Sequence, residues 1–218
     1  MLRWLAVLSA LLIWASHTLA YGATFDLAIL GQGYTDRVKF EADAQRAYQA
    51  LVSYAPFSEF AGQFQWMPIW NTTNLGCTYN GRLLTCSTTA VRTALLASGI
   101  PFDKAIVLVN NGTYGGSGGT YAVSYNGSLM PGVIVHEFGH SLAGLHDEYV
   151  LYVGNPGTAG TTVRNCYVGS ASAWPYLGCR YSGWKRSTSC SIMRSLNCPY
   201  FNTVSQALLR QVLVAFTQ

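Results

Sequence analysis

The sequence predicts one α/β domain that continues into an irregular, disulfide-rich part and ends in a helix. Short apolar runs of strand length alternate with segments of helical periodicity before residue 146. Residues 150–198 are instead rich in Gly, Ser, Tyr and Trp and hold four of the six cysteines. Residues 203–216 are amphipathic, which predicts a closing helix. The upper part of the domain is expected at about residues 21–145 and the lower part at about 146–218.

Five segments of the upper part have clear strand or helix patterns. The predicted strands are residues 25–30, 64–70 and 104–109, and the predicted helices are residues 34–54 and 88–98. Cys77 and Cys86 bracket Asn80-Gly81, a strong hairpin signal, so a disulfide there would staple a two-stranded ribbon.

The glycine-rich residues 111–119 are predicted to form a flexible turn, because no Gly-Lys-Ser/Thr ending supports a phosphate loop. Residues 120–125, which follow it, have two interpretations. They form an edge strand that takes an extended peptide as one more strand, or a capped strand with a purely structural role.

The N-terminus has the pattern of a signal peptide. Arg3 gives a positive start, an apolar run follows to Ala15, and Thr18-Leu19-Ala20 offers small residues for cleavage. Residues 1–20 are therefore predicted to be removed on secretion or export to a periplasm, with an uncleaved membrane anchor as the alternative. No later stretch is long enough to span a membrane.

Composition excludes several classes of function. Only 10% of the residues are charged, the net charge is +4 and basic residues are not clustered, so nucleic acid is not an expected partner. An even set of six cysteines in an exported chain predicts three disulfides. Spacing does not fix their pairing, and the sequential arrangement 77–86, 166–179 and 190–198 is the pairing we predict.

The most informative stretch is a His-Glu-x-x-His pattern formed by His136, Glu137 and His140. On a helix, residues four apart project from one face, so both imidazoles can bind one Zn²⁺. Glu137 would then face the reacting water as a general base. Pro131 suits a first helical turn and Gly144 a helix end, which predicts the helix. An ordinary amphipathic helix with two surface histidines is the alternative.

The third protein ligand has two candidates. Zinc hydrolases keep three protein ligands and leave the fourth position for water. His146 lies ten residues after His136, the spacing of the third His in the extended metzincin pattern, but the glycine of that pattern is one place late at Gly144. Counted from the glycine, Asp147 takes the ligand position. The residue that does not bind the metal is expected to orient the one that does.

Together these residues resemble the metzincin-like zinc peptidases, and more closely the IgA peptidase family. The motif of that family is similar to the stretch from His136 to Tyr149. Gly33-Tyr34-Thr35, residues 109–116 and Ile192-Met193-Arg194 also look like the family. The resemblance implies a mixed sheet and an active-site helix above a cleft, with an irregular part below.

The resemblance also implies roles for individual residues. Met193 would lie in a Met-turn beneath the zinc as a packing residue, and Asp147 is favoured as the third ligand. One departure is that Ser195, rather than a tyrosine, stands two residues after Met193. Tyr149 or Tyr200 would have to supply any phenol that stabilises the transition state.

The sequence thus predicts a secreted or periplasmic, monomeric zinc endopeptidase that acts on protein or peptide substrates. The alternative is an exported, disulfide-stapled protein that binds protein or carbohydrate and holds a non-catalytic zinc. Neither the substrate nor the use of the glycosylation patterns at Asn71, Asn111 and Asn126 follows from the sequence.

Overall fold

A mixed sheet forms the framework that carries the predicted motif. The computed structural model describes residues 23–218, so the predicted signal peptide, residues 1–20, lies outside the described residues. In chain order the strands of this sheet are β1 (Phe25–Gln32), β2 (Phe64–Ile69), β3 (Thr78–Asn80), β4 (Leu83–Thr85), β5 (Lys104–Val109), β6 (Gly116–Gly118) and β7 (Ala122–Tyr125). In space they follow the order β2-β1-β5-β7-β6-β4-β3. The three strands predicted in the upper part and the Cys77–Cys86 hairpin are confirmed.

Strand directions divide the sheet into two halves. β1 pairs in parallel with β2 and β5, and β5 pairs in parallel with β7. β6 runs antiparallel to β7, and β3 runs antiparallel to β4. The sheet is therefore mixed, as the resemblance implied.

Four α-helices accompany the sheet. They are α1 (Arg37–Val52), α2 (Thr88–Ala97), α3 (Met130–Ala143) and α4 (Thr203–Thr217). The side chains of Asp36, Ser87 and Asn202 accept the backbone N–H three residues ahead, so each caps the N-terminus of its helix. α3 has no such side-chain cap but has Pro131 in its first turn, and it ends at Gly144 in the left-handed conformation with φ of 63°. All four helices were predicted to within a few residues at their ends.

Buried aromatic rings fix α3 in the core. Phe138 is fully buried, and its ring centroid lies 5.6 Å from that of Phe57 and 6.5 Å from that of Phe25. Phe201, just before α4, lies 5.8 Å from Phe57. Such ring pairs combine large buried areas with defined geometry. The helix that carries the motif is therefore held against both the sheet and α4.

A second sheet follows α3, in the part that was predicted to be dominated by loops, and the sequence analysis did not predict its strands. Its strands are β8 (Val150–Tyr152), β9 (Thr161–Val163), β10 (Cys166–Val168) and β11 (Tyr176–Arg186), in the order β8-β11-β10-β9. The register of β11 shifts between Arg180 and Tyr181, and Arg180 has φ of 60°. Because a bulge interrupts the two-residue alternation of a strand, the sequence pattern of β11 does not show its strand character.

The three disulfides have the predicted sequential pairing. Cys77–Cys86 joins the ends of the β3–β4 hairpin, Cys166–Cys179 joins β10 to β11, and Cys190–Cys198 closes the turn before α4. Persistent disulfides are consistent with a secreted or periplasmic protein, because they form in oxidising compartments.

Within residues 23–218, none of the helices is long and apolar enough to cross a membrane.

For the segment before α3, the structure decides between the two interpretations of residues 120–125 and corrects the prediction of a flexible turn. β7 pairs with β5 on one side and β6 on the other, and all four of its residues are buried, so it is not an edge strand. The glycine-rich run is not simply a flexible turn, because it contains β6, which packs directly on α3. A Cβ added at Gly118 would lie 2.5 Å from the backbone oxygen of Glu137 and 2.3 Å from Cβ of His140. Glycine is needed here because β6 and α3 approach more closely than a side chain allows.

Gly118→Ala is therefore expected to separate β6 from α3, with a loss of stability of about 1–3 kcal/mol from overpacking. Gly119→Ala is the matched control, since a Cβ there would meet no atom within 4 Å. Thermal unfolding of both variants checks this: Gly118→Ala should unfold several degrees below the wild type, and Gly119→Ala should stay close to it. Equal melting temperatures for the two variants would contradict the close packing of β6 on α3.

Candidate metal centre

His136 and His140 lie one turn apart on α3 with their Nε2 atoms 3.1 Å apart. Nδ1 of His136 lies 2.8 Å from the carbonyl oxygen of Ile192, and Nδ1 of His140 lies 2.5 Å from that of Leu145. A carbonyl oxygen only accepts, so each Nδ1 carries a proton and donates it. In the neutral imidazoles, both Nε2 lone pairs then point toward the same place.

Asp147 completes a triangle of acceptor atoms. Its Oδ1 lies 3.1 Å from Nε2 of His136 and 3.3 Å from Nε2 of His140. This oxygen is buried and receives no hydrogen bond in the described part of the chain. A single proton on one imidazole could form one hydrogen bond within the triangle, and the third atom, also an acceptor, would still lack a donor. A cation at its centre satisfies all three.

The distances within the triangle fit zinc. Ligand bonds of about 2.0–2.1 Å at tetrahedral angles place neighbouring donor atoms about 3.3–3.4 Å apart. The pairwise distances of 3.1, 3.1 and 3.3 Å are close to that spacing. Two imidazoles and a carboxylate are also a donor set typical of catalytic zinc, which leaves one coordination position open.

Electrostatics also favour a positive charge at this point. Burial lowers the pKa of His136, but the Asp147 and Glu137 carboxylates and the bond to Ile192 outweigh it, and the net shift is upward. Burial likewise opposes ionisation of Asp147, yet the two imidazoles hold the pKa of its carboxyl well below the usual range. The pocket therefore stabilises an ionised Asp147 together with a cation.

Glu137 lies beside the triangle. A carboxylate oxygen of Glu137 and a nitrogen of each histidine fall within 4.8 Å of one another. Its side chain packs on the backbone of β6, since a Cβ added at Gly116 would lie 2.9 Å from Glu137 Oε1. Burial raises the pKa of the Glu137 carboxyl above its ordinary value. A carboxylate that binds a proton more readily than usual, at the wall of a cleft, suits proton transfer.

His146, the other candidate ligand, makes a different contact. Its Nδ1 accepts a hydrogen bond from Nη1 of Arg180 at 2.9 Å. Burial and the Arg180 cation lower the pKa of His146 to about 4, so its ring is neutral at physiological pH. The side chain lines the same cleft as the triangle, while Asp147 makes the contacts with both Nε2 atoms.

Met193 lies in a tight turn below α3. It is fully buried, and a Cβ added at Gly139 of α3 would lie 2.9 Å from its sulfur. The backbone of this turn holds the site on two sides, because Ile192 accepts from His136 and the carbonyl of Met193 accepts the N–H of Glu148 at 2.8 Å. Met193 thus has the position that a packing residue beneath the metal would need.

Glu148 anchors the segment that carries His146 and Asp147. It is fully buried, and its Oε1 accepts from Nδ2 of Asn165 at 3.0 Å, Nδ2 of Asn202 at 2.7 Å and Oγ of Ser205 at 3.3 Å. Asn165 also holds the backbone of His146 through two bonds, of 2.7 and 3.0 Å. Asn202 caps α4, so Glu148 lies at the positive end of that helix. This buried network joins the metal-site segment to α4 and to β10.

Glu148→Ala is expected to cost about 2–4 kcal/mol of folding free energy, because it leaves the amides of Asn165 and Asn202 buried without their acceptor. It should also weaken zinc binding about 10–100-fold by releasing the backbone beside Asp147. Thermal unfolding and competition with a zinc chelator measure the two effects. Glu59→Ala is the control, since it removes an exposed carboxylate that does not line the cleft and pairs with Arg210 of α4. Zinc affinity unchanged in Glu148→Ala would contradict the anchoring role.

The triangle opens into a cleft of about 730 Å³. Gly116, Ser117 and Gly118 of β6 line it, together with Tyr149 and Tyr152. Three arginines also line it: Arg82, Arg180 and Arg194. Of the two tyrosines considered for the transition state, Tyr149 lines this cleft, whereas Tyr200 is not among the lining residues.

Several residues of the site were not predicted from the sequence. Asn202 had a usable signal, since an Asn directly before an amphipathic run is a helix cap. Glu148 belongs to the motif but has no pattern that separates an anchor from a ligand. Asn165 and Arg180 lie 19 and 34 residues from His146, which they contact, and no local spacing marks them.

Comparison with known proteins locates the similarity in the same region. The family model described as IgA Peptidase M64 matches residues 68–159. That range contains α3, both histidines, Glu137 and the segment from His146 to Glu148, but ends before Met193. No curated protein matches the chain.

Two solved structures are similar over most of the chain. Archaemetzincin from Methanopyrus kandleri has a TM-score of 0.47 and 14% sequence identity, with 90% of this chain and 99% of that chain covered. Metalloproteinase-II from Bacteroides fragilis has a TM-score of 0.42 and 13% identity, with 91% of this chain and 54% of that chain covered.

Proposed function

We propose that this protein is a secreted or periplasmic zinc endopeptidase with Glu137 as its general base. The match of residues 68–159 to the family model described as IgA Peptidase M64 supports this proposal. The observation that carries the proposal is the triangle of three acceptor atoms beside the Glu137 carboxylate. A closed structural zinc site has no open coordination position, so it has no use for a buried carboxylate beside the metal. That argument favours the enzyme over the alternative of a binding protein with non-catalytic zinc.

His136, His140 and Asp147 are the proposed ligands. Asp147 is preferred to His146 because its Oδ1 lies against both Nε2 atoms and has no other polar partner in the described residues. His146 is assigned a supporting role. Its ring accepts a hydrogen bond from Arg180, and Asn165 makes two hydrogen bonds with its backbone. These contacts hold the residue directly before Asp147 in place. Met193 is proposed as the packing residue of the Met-turn.

A zinc ion held by His136, His140 and Asp147 would supply a Lewis acid for the scissile carbonyl and would lower the pKa of water. Glu137 takes the proton from the attacking water and later gives it to the leaving amine. Because burial raises the pKa of the Glu137 carboxyl, this group binds a proton more readily than an exposed carboxylate does. That suits a group that must first accept a proton and then donate it. The Nδ1 hydrogen bonds to Ile192 and Leu145 keep both imidazoles in the tautomer that presents Nε2.

The substrate is proposed to lie along β6. This strand borders the cleft and pairs with β4 only at Gly116, where Leu83 lies opposite. The part of its edge beyond that pair is the proposed place for main-chain hydrogen bonds to an extended protein or peptide. Cleavage of the signal peptide, a monomeric state and the absence of a nucleic-acid partner remain parts of this proposal.

A digest of a peptide library, read by mass spectrometry with and without a zinc chelator, tests the proposed function. The expected result is internal cleavage that the chelator abolishes and added zinc restores. Stoichiometric zinc without cleavage of any peptide would favour the binding protein instead.

A further inference from the structure

Basic residues outnumber acidic ones in residues 104–218, the part of the chain that supplies most of the cleft. Residues 104–218 contain three acidic residues, Glu137, Asp147 and Glu148, and none of them is exposed. The same segment contains seven basic residues: Lys104, Arg164, Arg180, Lys185, Arg186, Arg194 and Arg210. The other carboxylates all lie before residue 104, and none of them lines the cleft.

Three arginines from separate parts of the fold line this cleft. Arg82 comes from the β3–β4 turn, Arg180 from β11 and Arg194 from the Met193 turn. None of the three pairs with a carboxylate in the described residues. With zinc bound, its two positive charges balance Glu137 and Asp147, so the three guanidinium groups determine the net charge of the cleft.

Protein contacts hold each guanidinium in place but leave most of its donors free. Arg82 lies over the ring of Tyr149, 5.2 Å from its centroid, and the described residues accept no hydrogen bond from it. Arg180 donates to His146 and lies 5.8 Å from the ring centroid of Tyr152. Arg194 donates to the carbonyl of Ser189. Since a guanidinium has five N–H donors, each arginine can still bind a carboxylate with two parallel hydrogen bonds.

We propose that the cleft selects peptides with Asp or Glu side chains close to the scissile bond, bound by Arg82, Arg180 and Arg194. This inference rests on the proposed function and names its substrate class. A neutral or basic peptide would remove water from these arginines without supplying a negative charge to pair with them, which costs free energy. An acidic peptide supplies the missing partners and is also attracted by the focused positive field of the cleft.

Matched peptides that differ only in Glu, Gln or Lys on both sides of one scissile bond test this inference. In the wild type, kcat/KM for the Glu peptide should exceed that for the Gln peptide about tenfold at low salt, with Lys lowest. The preference should shrink as the ionic strength rises from about 0.05 to about 0.5 M, because salt screens exposed charges. The double variant Arg82→Gln/Arg194→Gln should lose most of the preference, whereas Arg92→Gln, on the exposed face of α2, should keep it.

A binding measurement separates this inference from the proposed function. Fluorescence titration of the Glu137→Gln variant with the same peptides needs no turnover and should show the same order of affinities. Cleavage of Glu and Gln peptides at equal rates, with equal affinities, would overturn the selectivity and leave the peptidase proposal intact. Tighter binding of the Glu peptide without cleavage of any peptide would support the arginine surface and refute the peptidase.

Discussion

Glu137→Gln is expected to lose about 10²–10⁴-fold in turnover while zinc binding and folding are preserved. The amide keeps the size of the side chain and its packing on Gly116, but it cannot accept the proton of the attacking water. Since His136, His140 and Asp147 are unchanged, the zinc content should remain one ion per chain. Steady-state kinetics, metal analysis and thermal unfolding of the same preparation check the three expectations.

The control for this variant is Glu59→Gln. Glu59 is a largely exposed carboxylate that pairs with Arg210, outside the cleft, and its replacement should leave turnover unchanged. If Glu137→Gln kept a tenth or more of wild-type turnover, Glu137 would not be the general base.

Asp147→Ala is expected to abolish tight zinc binding, because it removes the one carboxylate oxygen that lies within 3.3 Å of both Nε2 atoms. His146→Ala should weaken zinc binding only about 10–100-fold, the usual effect of a residue that supports a ligand. Zinc affinity measured against a competing chelator distinguishes the two variants. The X-ray anomalous signal at the zinc edge would show directly which side chains surround the ion.

The opposite ranking, with zinc lost in His146→Ala and retained in Asp147→Ala, would show that the histidine is the ligand. Equal and mild losses in both variants would place the third ligand elsewhere. Both variants need a thermal unfolding curve, because removal of Asp147 also leaves two buried imidazoles facing each other without a charge between them.

The helices and the central strands were predictable because their signals are local. Apolar periodicity, Asp36 and Gly144 define the helix ends, and a continuous apolar run such as that of β5 can only be a buried strand or a short buried helix. The disulfides followed from the even number of cysteines, although only the fold determines which sulfurs meet.

The rest depends on contacts between distant segments. Whether β7 is an edge strand is decided by β6, and β6 has no sequence pattern except glycines that allow close packing on α3. The choice between His146 and Asp147 depends on how Asn165, Glu148 and the Met193 turn hold one short segment, which spacing along the chain does not encode. The arginines of the cleft come from three elements and become a group only after folding.

Zinc titration of the metal-free enzyme tests the central claim most directly. Protein stripped with a chelator should cleave no peptide, and activity should return in proportion to added zinc up to one ion per chain. The Glu137→Gln variant should bind the same single ion and stay about 10²–10⁴-fold less active than the wild type. Peptide cleavage by metal-free protein, or a tenth or more of wild-type activity in zinc-loaded Glu137→Gln, would contradict a zinc peptidase that uses Glu137 as its base.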